Sequence, residues 1–291
     1  MTAKIPFSER LQQDQPLLAD GAMGTEIFAR TDLRHDACLD ALNVYDAEIV
    51  RSVHLDYIEA GADIIETNTF GSNRIKLAES GHAVRAAEFN QAGVERAREA
   101  IAQSGREDVY IAGSIGPLGG RLKPYGRIER ESAYEAFREQ IEALTEAGVD
   151  LLLFETFAND DELLLAVNIA HEVSDLPIVA QATFGGDDTT GIGHSPARVA
   201  NDLYKAGVNV MGVNCSGGPQ QLSNILQTMV TAVPSARFSI MPNAGFPELL
   251  NGRTIYPASA DYFGDYAPRF HRIGATIIGG CCGTTPEHIR A

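Results

Sequence analysis

Short apolar runs that alternate with amphipathic stretches constrain the fold of this chain more than any other feature. Eight such runs, rich in Ile, Val and Leu, lie at 17–21, 62–67, 109–116, 149–156, 177–184, 208–215, 237–245 and 275–282. Each run is apolar on both alternations, which is typical of parallel strands that are covered on both faces. Between them, stretches such as 47–62 and 133–148 repeat apolar residues every three or four positions, which predicts helices.

Strands that alternate with helices in this way predict an α/β fold, specifically a (β/α)8 TIM barrel, which takes about 250 residues as one domain. Three predicted helices end in Ala-Gly pairs, at Gly61, Gly148 and Gly207, and a strand follows each pair directly. Such endings are typical of compact αβ loops. An open doubly wound sheet is the alternative, but no G-x-G-x-x-G motif follows the first strand.

No linker or change of composition divides the sequence, so we expect residues 1–291 to form one barrel domain. A helix start is predicted at 284–287, and the sequence ends at Ala291 after barely one further turn. Since a barrel needs an eighth helix to cover its last strand, we expect this domain to be the N-terminal part of a longer protein.

The charge of the chain narrows the classes of partner. It has 23 Lys and Arg against 39 Asp and Glu, a net charge of −16, which disfavours binding to nucleic acid or to an anionic membrane. No apolar run approaches the roughly 18 residues of a membrane span, and the first residues lack the apolar core of a signal peptide. We therefore expect a soluble, cytoplasmic protein.

Three of the four cysteines fall at the ends of predicted strands, where barrel enzymes carry their active sites. Cys215 ends the sixth strand, and Cys281 and Cys282 end the eighth. Since one strand separates these two in a closed barrel, their thiols can converge. Three thiolates suit zinc and leave its fourth tetrahedral position open. A packed strand end and a redox pair at 281–282 are the alternatives, and we expect Cys38 to serve ordinary packing.

Several motifs at these strand ends resemble one known family. They are DGAMGTE (20–26), ETNTFGSNRIKL (66–77), FETF (154–157), NCSGGP (214–219), PNAG (242–245) and GGCCGTTPEHI (279–289). From about Leu17 to its end the sequence resembles the zinc-dependent homocysteine S-methyltransferases, including the homocysteine module of cobalamin-dependent methionine synthase. The segment HDACLDALN (35–43) also resembles bifunctional enzymes that join this module to a methylenetetrahydrofolate reductase.

The resemblance implies transfer of a methyl group to the thiol of L-homocysteine, giving L-methionine. It implies that Cys215, Cys281 and Cys282 hold Zn²⁺ and that the homocysteine sulfur takes the open position. Three thiolates on Zn²⁺ would leave a net charge of −1, which keeps the substrate sulfur electron-rich. Free thiols titrate near pH 8.5, whereas a metal-bound thiol is deprotonated near neutral pH.

The resemblance also requires contacts for the amino acid end of homocysteine. Glu155 is the first candidate for the substrate ammonium and Asp20 is the second. Backbone N–H groups and hydroxyls could bind the substrate carboxylate at Thr67, Asn68 and Thr69. Asn243 is a further polar candidate, whereas Glu66 is doubtful, because strand alternation points it away from Thr67.

The methyl donor stays open at this point. Methylfolate acting through cobalamin would need further modules, such as C-terminal cobalamin, folate or reductase domains, whereas S-methylmethionine would suit a barrel alone. The absence of Trp weakens betaine as a donor. The alternative function is a non-catalytic zinc-binding or thiol redox-sensing barrel protein. A Schiff-base aldolase is disfavoured, since no predicted strand ends in Lys.

Histidines contribute no candidate site residue. His54, His82, His171 and His271 lie on predicted helices, where we expect them to be solvated. His194 lies in the loop after the fifth strand, and we assign it no role.

Overall fold

Eight parallel strands form one sheet in the computed structural model, which describes residues 4–250 and 253–291. The strands within the described residues, in order, are β1 (Leu17–Leu18), β2 (Ile64–Glu66), β3 (Tyr110–Ile115), β4 (Leu151–Phe157), β5 (Ile178–Ala182), β6 (Val210–Asn214), β7 (Phe238–Met241), β8 (Glu248–Leu250), β9 (Arg253–Ile255) and β10 (Ala275–Ile278). The parallel sheet has the order β1-β10-β7-β6-β5-β4-β3-β2. Strands β8 and β9 form a separate antiparallel hairpin that the sequence analysis did not predict.

The sheet closes on itself between β1 and β2. Ala19 pairs with Ile64, the Asp20 N–H donates to the Ile64 carbonyl at 3.0 Å, and the Asp63 N–H donates to the Leu18 carbonyl at 2.7 Å. Helices connect successive strands of this nearly closed ring. The prediction of a (β/α)8 TIM barrel is therefore confirmed.

The helices lie between the strands as the apolar periodicity predicts. They are α1 (Phe7–Arg10), α2 (Met23–Arg30), α3 (Leu42–Tyr45), α4 (Ala47–Ala60), α5 (Arg74–Ala78), α6 (Ala86–Ser104), α7 (Arg130–Ala147), α8 (Asp160–Val173), α9 (Pro196–Lys205), α10 (Pro219–Ala232), α11 (Ala260–Ile273) and α12 (Pro286–Arg290). Gly61 and Gly148 cap α4 and α7 in the left-handed conformation, with φ of 111° and 84°, as expected of these turns.

Two apolar layers fix the direction of each strand residue. In β4, Leu151 and Leu153 belong to the inner cluster of the barrel, whereas Leu152 and Phe154 pack in the outer layer beneath the helices. Phe7 of α1 joins the inner cluster and stacks edge-on against Tyr110, where β3 begins. Helix α1 therefore closes the N-terminal end of the barrel, and polar residues that continue the inner alternation reach its C-terminal mouth.

None of the helices in the described residues is both long enough and apolar enough to cross a membrane.

Two of the four histidine predictions were wrong. His54 is fully buried on α4, and neither ring nitrogen has a hydrogen-bond partner among the described residues. It lies four positions after Val50 and three before Tyr57, on the stripe that faces the core. Burial lowers the pKa of His54 to about 3. His171 and His271 are exposed on helices as expected, whereas His82 is half-buried and precedes a short 3-10 helix instead of lying on a helix.

We predict that His54 makes the protein less stable at mildly acidic pH. Because its pKa is lowered only in the folded state, the unfolded chain takes up the proton first as the pH falls below about 6.5, and stability is lost there. Between pH 7 and pH 5.5 the wild type should lose about 1 kcal/mol more free energy of unfolding than His54→Leu. Urea unfolding at both pH values measures this difference.

The exposed His171 provides the control. His171→Leu should keep the wild-type dependence on pH, because it removes an exposed imidazole and leaves the buried His54 in place. An unchanged dependence in His54→Leu would contradict the prediction.

Candidate metal centre

Three thiols meet at the mouth of the barrel. Cys215 follows β6, while Cys281 and Cys282 follow β10, and β7 lies between these strands. The three Sγ atoms lie within 4.8 Å of one another, and those of Cys215 and Cys282 are 3.6 Å apart. A tetrahedral ion with metal–sulfur bonds of about 2.3 Å places its sulfurs about 3.8 Å apart. The spacing of the thiols therefore fits a tetrahedral metal ion.

Backbone geometry turns these thiols toward one another. Along β6, Val213 packs in the outer layer, so a regular strand would point Cys215 outward as well. Cys215 instead adopts a left-handed conformation with φ of 51°. Its N–H donates to the Met241 carbonyl at 3.2 Å, and the Cys281 N–H donates to the Pro242 carbonyl at 2.8 Å. The end of β7 thus holds the loops that carry the cysteines on its two sides.

Thr284 anchors the loop behind the two adjacent cysteines. Its hydroxyl donates to the Cys281 carbonyl at 2.7 Å and accepts the Ala22 N–H at 3.1 Å. A Cβ built on either Gly21 or Gly280 would lie 2.5 Å from this hydroxyl oxygen, so both positions must lack a side chain. The sequence analysis placed Thr284 at a helix start and missed this role, for which the glycines of the two motifs were the available signal.

Hydrogen bonds among the thiols concentrate negative charge on one sulfur. Those with Cys215 and Cys281 lower the pKa of Cys282 to about 3. Hydrogen bonds with Cys215, which have the larger effect, and with Cys282 raise the pKa of Cys281 well above its usual range. A cation bound to all three sulfurs would displace the remaining protons, and three sulfur donors favour a soft or borderline ion. Cys38 packs against a separate apolar cluster, as expected.

Three carboxyl groups form a second cluster beside the thiols. Burial raises the pKa of Asp20, Glu66 and Glu155, and Glu155 raises those of the other two by repulsion. Among the described residues no Lys, Arg or His forms an ion pair with any of them. Asp20 Oδ1 and Glu66 Oε1 are buried without hydrogen-bond partners there. The cluster therefore offers unpartnered acceptor oxygens to a cation with N–H donors.

Strand alternation does separate Glu66 from Thr67, but Glu66 is the one that faces the mouth. Ile64 of β2 belongs to the inner cluster, so Glu66, two positions on, points to the same side. The carboxyl of Glu66 is close enough to those of Asp20 and Glu155 for both to raise its pKa. Glu66 was considered doubtful from the sequence, although its position at the end of an inner-facing alternation was a usable signal.

Hydroxyl groups beneath Glu155 are bound within the protein. Ser114, which the sequence analysis missed, donates its hydroxyl to Glu155 Oε1 at 2.6 Å. The Ser114 N–H donates to Thr67 Oγ1 at 3.0 Å, and Thr69 donates its hydroxyl to the Ser114 carbonyl at 2.8 Å. Thr67 and Thr69 share a further hydrogen bond of 2.7 Å. Both threonine hydroxyl protons therefore support the strand ends, and the N–H groups of Thr67 and Thr69 also donate within the protein, to the carbonyls of Ala112 at 2.9 Å and Thr67 at 2.8 Å.

The two remaining candidates differ in their surroundings. The Asn68 amide donates to the Leu39 carbonyl at 2.8 Å and to Asn43 Oδ1 at 3.0 Å, so its N–H donors face a neighbouring loop. Asn243 is buried, and its Oδ1 has no partner among the described residues. Its chain neighbour Ala244 donates an N–H to the Cys282 carbonyl at 3.0 Å. Asn243 thus retains a free polar atom near the thiols.

Comparison with known proteins assigns the chain to a family. The model of the homocysteine S-methyltransferase family matches residues 17–291. The chain belongs to this family. The resemblance seen in the sequence is therefore confirmed.

Similar proteins include methionine synthases of Mycobacterium and a homocysteine methyltransferase of Escherichia coli. The chain is 32% identical over 290 residues to methionine synthase of Mycobacterium tuberculosis. The aligned region covers 94% of this chain and 24% of that protein. The chain therefore spans about a quarter of the length of the curated relatives that it matches. The metallated form of the homocysteine methyltransferase MmuM from Escherichia coli superposes with a TM-score of 0.81 at 27% identity, covering 98% of both chains. The oxidised form of MmuM superposes with a TM-score of 0.79 at 28% identity, covering 96% of this chain and 95% of that chain.

We predict that this family member binds about one divalent metal ion per chain through its three clustered thiols. Cys215→Ala should lower the affinity by more than the roughly 10–100-fold that follows loss of an outer hydrogen bond, since it removes a ligand itself. Competition with a chromogenic chelator under reducing conditions measures the affinity. Cys38→Ala, outside the cluster, should bind metal normally. Full metal affinity in Cys215→Ala would refute the assignment.

Proposed function

We propose that this protein transfers a methyl group to the thiol of L-homocysteine, giving L-methionine, with Zn²⁺ held by Cys215, Cys281 and Cys282. The observation that carries the proposal is the pairing of two clusters in one mouth. Three convergent thiols lie beside three buried carboxyls that have no cationic partner among the described residues. Homocysteine offers a thiol for the first cluster and an ammonium for the second.

Zinc suits the donor set better than the harder divalent cations. Three thiolates select soft or borderline ions, and three protein ligands leave a tetrahedral ion one open position. Bound there, zinc would lower the pKa of the substrate thiol, so that the sulfur is present as a thiolate at neutral pH. The protein supplies the ligand geometry through the left-handed turn at Cys215 and the anchored loop at 281–284.

Glu155 and Asp20 select the amino group of the substrate. Both carboxyls are buried, and the Ser114 hydroxyl already fixes one oxygen of Glu155. The Glu66 N–H fixes Oδ2 of Asp20 at 3.0 Å, which leaves Oδ1 for the ligand. An ammonium placed here would lower the raised pKa of these carboxyls by supplying the missing opposite charge.

The substrate carboxylate binds at the ends of β1 and β2. Because the hydroxyls and the backbone N–H groups of Thr67 and Thr69 are engaged within the protein, the backbone N–H of Asn68 provides the donor in this segment. Asn243, with its unpartnered Oδ1, supplies a further polar contact for the ligand.

The reaction balances without a redox partner. The substrate thiol loses its proton to solvent, its sulfur forms a bond to the methyl carbon of the donor, and the bond between that carbon and the donor breaks. The electron pair of the broken bond leaves with the donor. The barrel residues hold the nucleophile in place and contribute no electrons. A thiol redox sensor is not favoured, because such a switch would have no use for the carboxyl cluster.

We also propose that residues 1–291 are the homocysteine domain of a larger system, because the methionine synthases that match it are about four times as long. Methylfolate acting through cobalamin, S-methylmethionine or a similar molecule would be the methyl donor. Reductase, cobalamin or folate modules would be its partners where the donor needs them.

A panel of donors tests the proposed function. Zinc-loaded protein is incubated with homocysteine and with methylcobalamin, S-methylmethionine, methyltetrahydrofolate or betaine, and methionine is quantified by mass spectrometry. We expect methionine from at least one donor, with none from zinc-free protein. Failure of the zinc-loaded protein both to bind homocysteine and to form methionine would refute the proposal.

We predict that Glu155 governs recognition of the amino group. A buried ammonium left without its partner is strongly unfavourable, so Glu155→Ala should weaken homocysteine binding by at least about a hundredfold. The loss should be far smaller for 4-mercaptobutyrate, which has the thiol and carboxylate but no amino group. Calorimetry on metal-loaded protein measures both ligands.

A second buried glutamate gives the matched control. Glu162 on α8 accepts the Leu118 N–H at 2.8 Å and lies outside the carboxyl cluster. Glu162→Ala should therefore leave the preference for homocysteine over 4-mercaptobutyrate unchanged. Equal losses for the two thiols in Glu155→Ala would show that Glu155 supports the fold or the metal, and Asp20 would then become the first candidate.

A further inference from the structure

Asn214, the last residue of β6, connects the thiol cluster with the carboxyl cluster. Its side chain is almost fully buried, with 1% of the residue exposed. The amide nitrogen lies 3.3 Å from Glu155 Oε2 and 3.8 Å from Cys281 Sγ, both within hydrogen-bonding range. The same nitrogen donates to Thr156 Oγ1 at 2.7 Å. One carboxamide therefore contacts the residues proposed to bind the two ends of the substrate.

Asn214 also binds the backbone of Thr156. Its Oδ1 accepts the Thr156 N–H at 2.8 Å, while its Nδ2 donates to the hydroxyl of the same threonine. Because a backbone N–H can only donate, this contact fixes which way the amide is turned. Together the two hydrogen bonds form a clamp around a single residue.

Thr156 needs such a clamp because of its conformation. Its φ is 64°, in the left-handed region that β-branched residues rarely adopt. Phe154 pairs with Ala180 and Phe157 with Ala182, so β4 has one residue more than β5 at this point and bulges. The bulge returns Phe157 to the outer layer that contains Phe154. Glu155, two positions after the inner-facing Leu153, faces the mouth immediately before this bulge.

We propose that Asn214 is a positioning residue that holds Thr156 in its left-handed conformation and so fixes Glu155 relative to Cys281. The separation between the two proposed contacts for the substrate is then fixed. The inference rests on the proposed function, because it names the residue that joins the contacts for the ammonium and the sulfur. A hydrogen bond of 2.9 Å from the Thr183 hydroxyl to the Asn214 carbonyl holds the clamp itself in place.

The role of Asn214 predicts a selective loss of binding. In the full, metal-loaded chain, Asn214→Ala should weaken homocysteine by about 10–100-fold, the usual effect of removing a supporting hydrogen bond at a metal site. Binding of 4-mercaptobutyrate should fall much less, because that ligand does not use Glu155. Calorimetry measures both dissociation constants, and atomic emission measures metal content. Asn201→Ala, an exposed asparagine on α9, is the matched control and should bind both thiols normally.

A double-mutant cycle separates the clamp from a general loss of structure. Glycine adopts positive φ without steric cost, so in a Thr156→Gly background the backbone no longer needs holding. There, Asn214→Ala should cause a further loss of no more than about twofold, within the scatter of uncoupled sites. Thr156→Val provides a second route if Asn214→Ala fails to fold. It keeps the size and branching but removes the hydroxyl, and it should weaken homocysteine selectively by about tenfold.

The outcomes distinguish the inference from the proposed function. Equal losses for both thiols in Asn214→Ala, or the same fold loss with and without Thr156→Gly, would overturn the positioning role while homocysteine binding by the wild type still supports the proposed function. Unchanged binding in Thr156→Val would overturn the positioning role as well. Failure of the wild type to bind homocysteine would overturn both.

Discussion

Negative charge buried without an opposite charge is the constraint on which the mouth of this barrel depends. Three carboxyls and three thiols share the space, and among the described residues no cationic side chain neutralises the carboxyls. Neutral donors stabilise part of the charge, as Ser114 does for Glu155 and the Glu66 N–H for Asp20. Under the proposed function, the acceptors that these donors leave free would bind a metal ion beside the sulfurs and the substrate ammonium beside the carboxyls.

The fold could be predicted because closure of a parallel barrel leaves a strong trace in the sequence. Strands covered on both faces must be apolar on both alternations, and glycine must end helices that turn directly into strands, as at Gly61 and Gly148. The convergence of Cys215 with Cys281 followed from topology alone, since β7 is the single strand between theirs. The order of the strands could be predicted because apolar runs and helix-ending glycines recur along the whole chain.

Local departures from regular geometry were not predictable, because periodicity assumes regular strands. Thr156 and Cys215 adopt positive φ without being glycine, and each redirects a side chain at the site. The Asn68 amide faces Asn43 in another loop, a contact that no spacing in the sequence indicates. His54 was misjudged for a different reason: its residue type suggested solvent, whereas its place on the helix stripe determined burial. The position of His54 on the buried stripe of α4 therefore determined its burial more than its polar residue type did.

The narrow space around Thr284 has a consequence for sequence variation in this protein. Gly21 and Gly280 are separated by most of the chain, yet both lie against the same hydroxyl group. Any side chain gained at one of them would have to be matched by atoms lost at Thr284, and at Gly21 also by a shift of Tyr57, whose hydroxyl would lie 2.8 Å from the new Cβ. The loop bearing Cys281 would move with that exchange. The two glycines, Thr284 and Tyr57 therefore form one epistatic unit. Mutagenesis of the barrel mouth should randomise these positions together. Most single changes there would prevent folding, so their effect on substrate choice could not be measured.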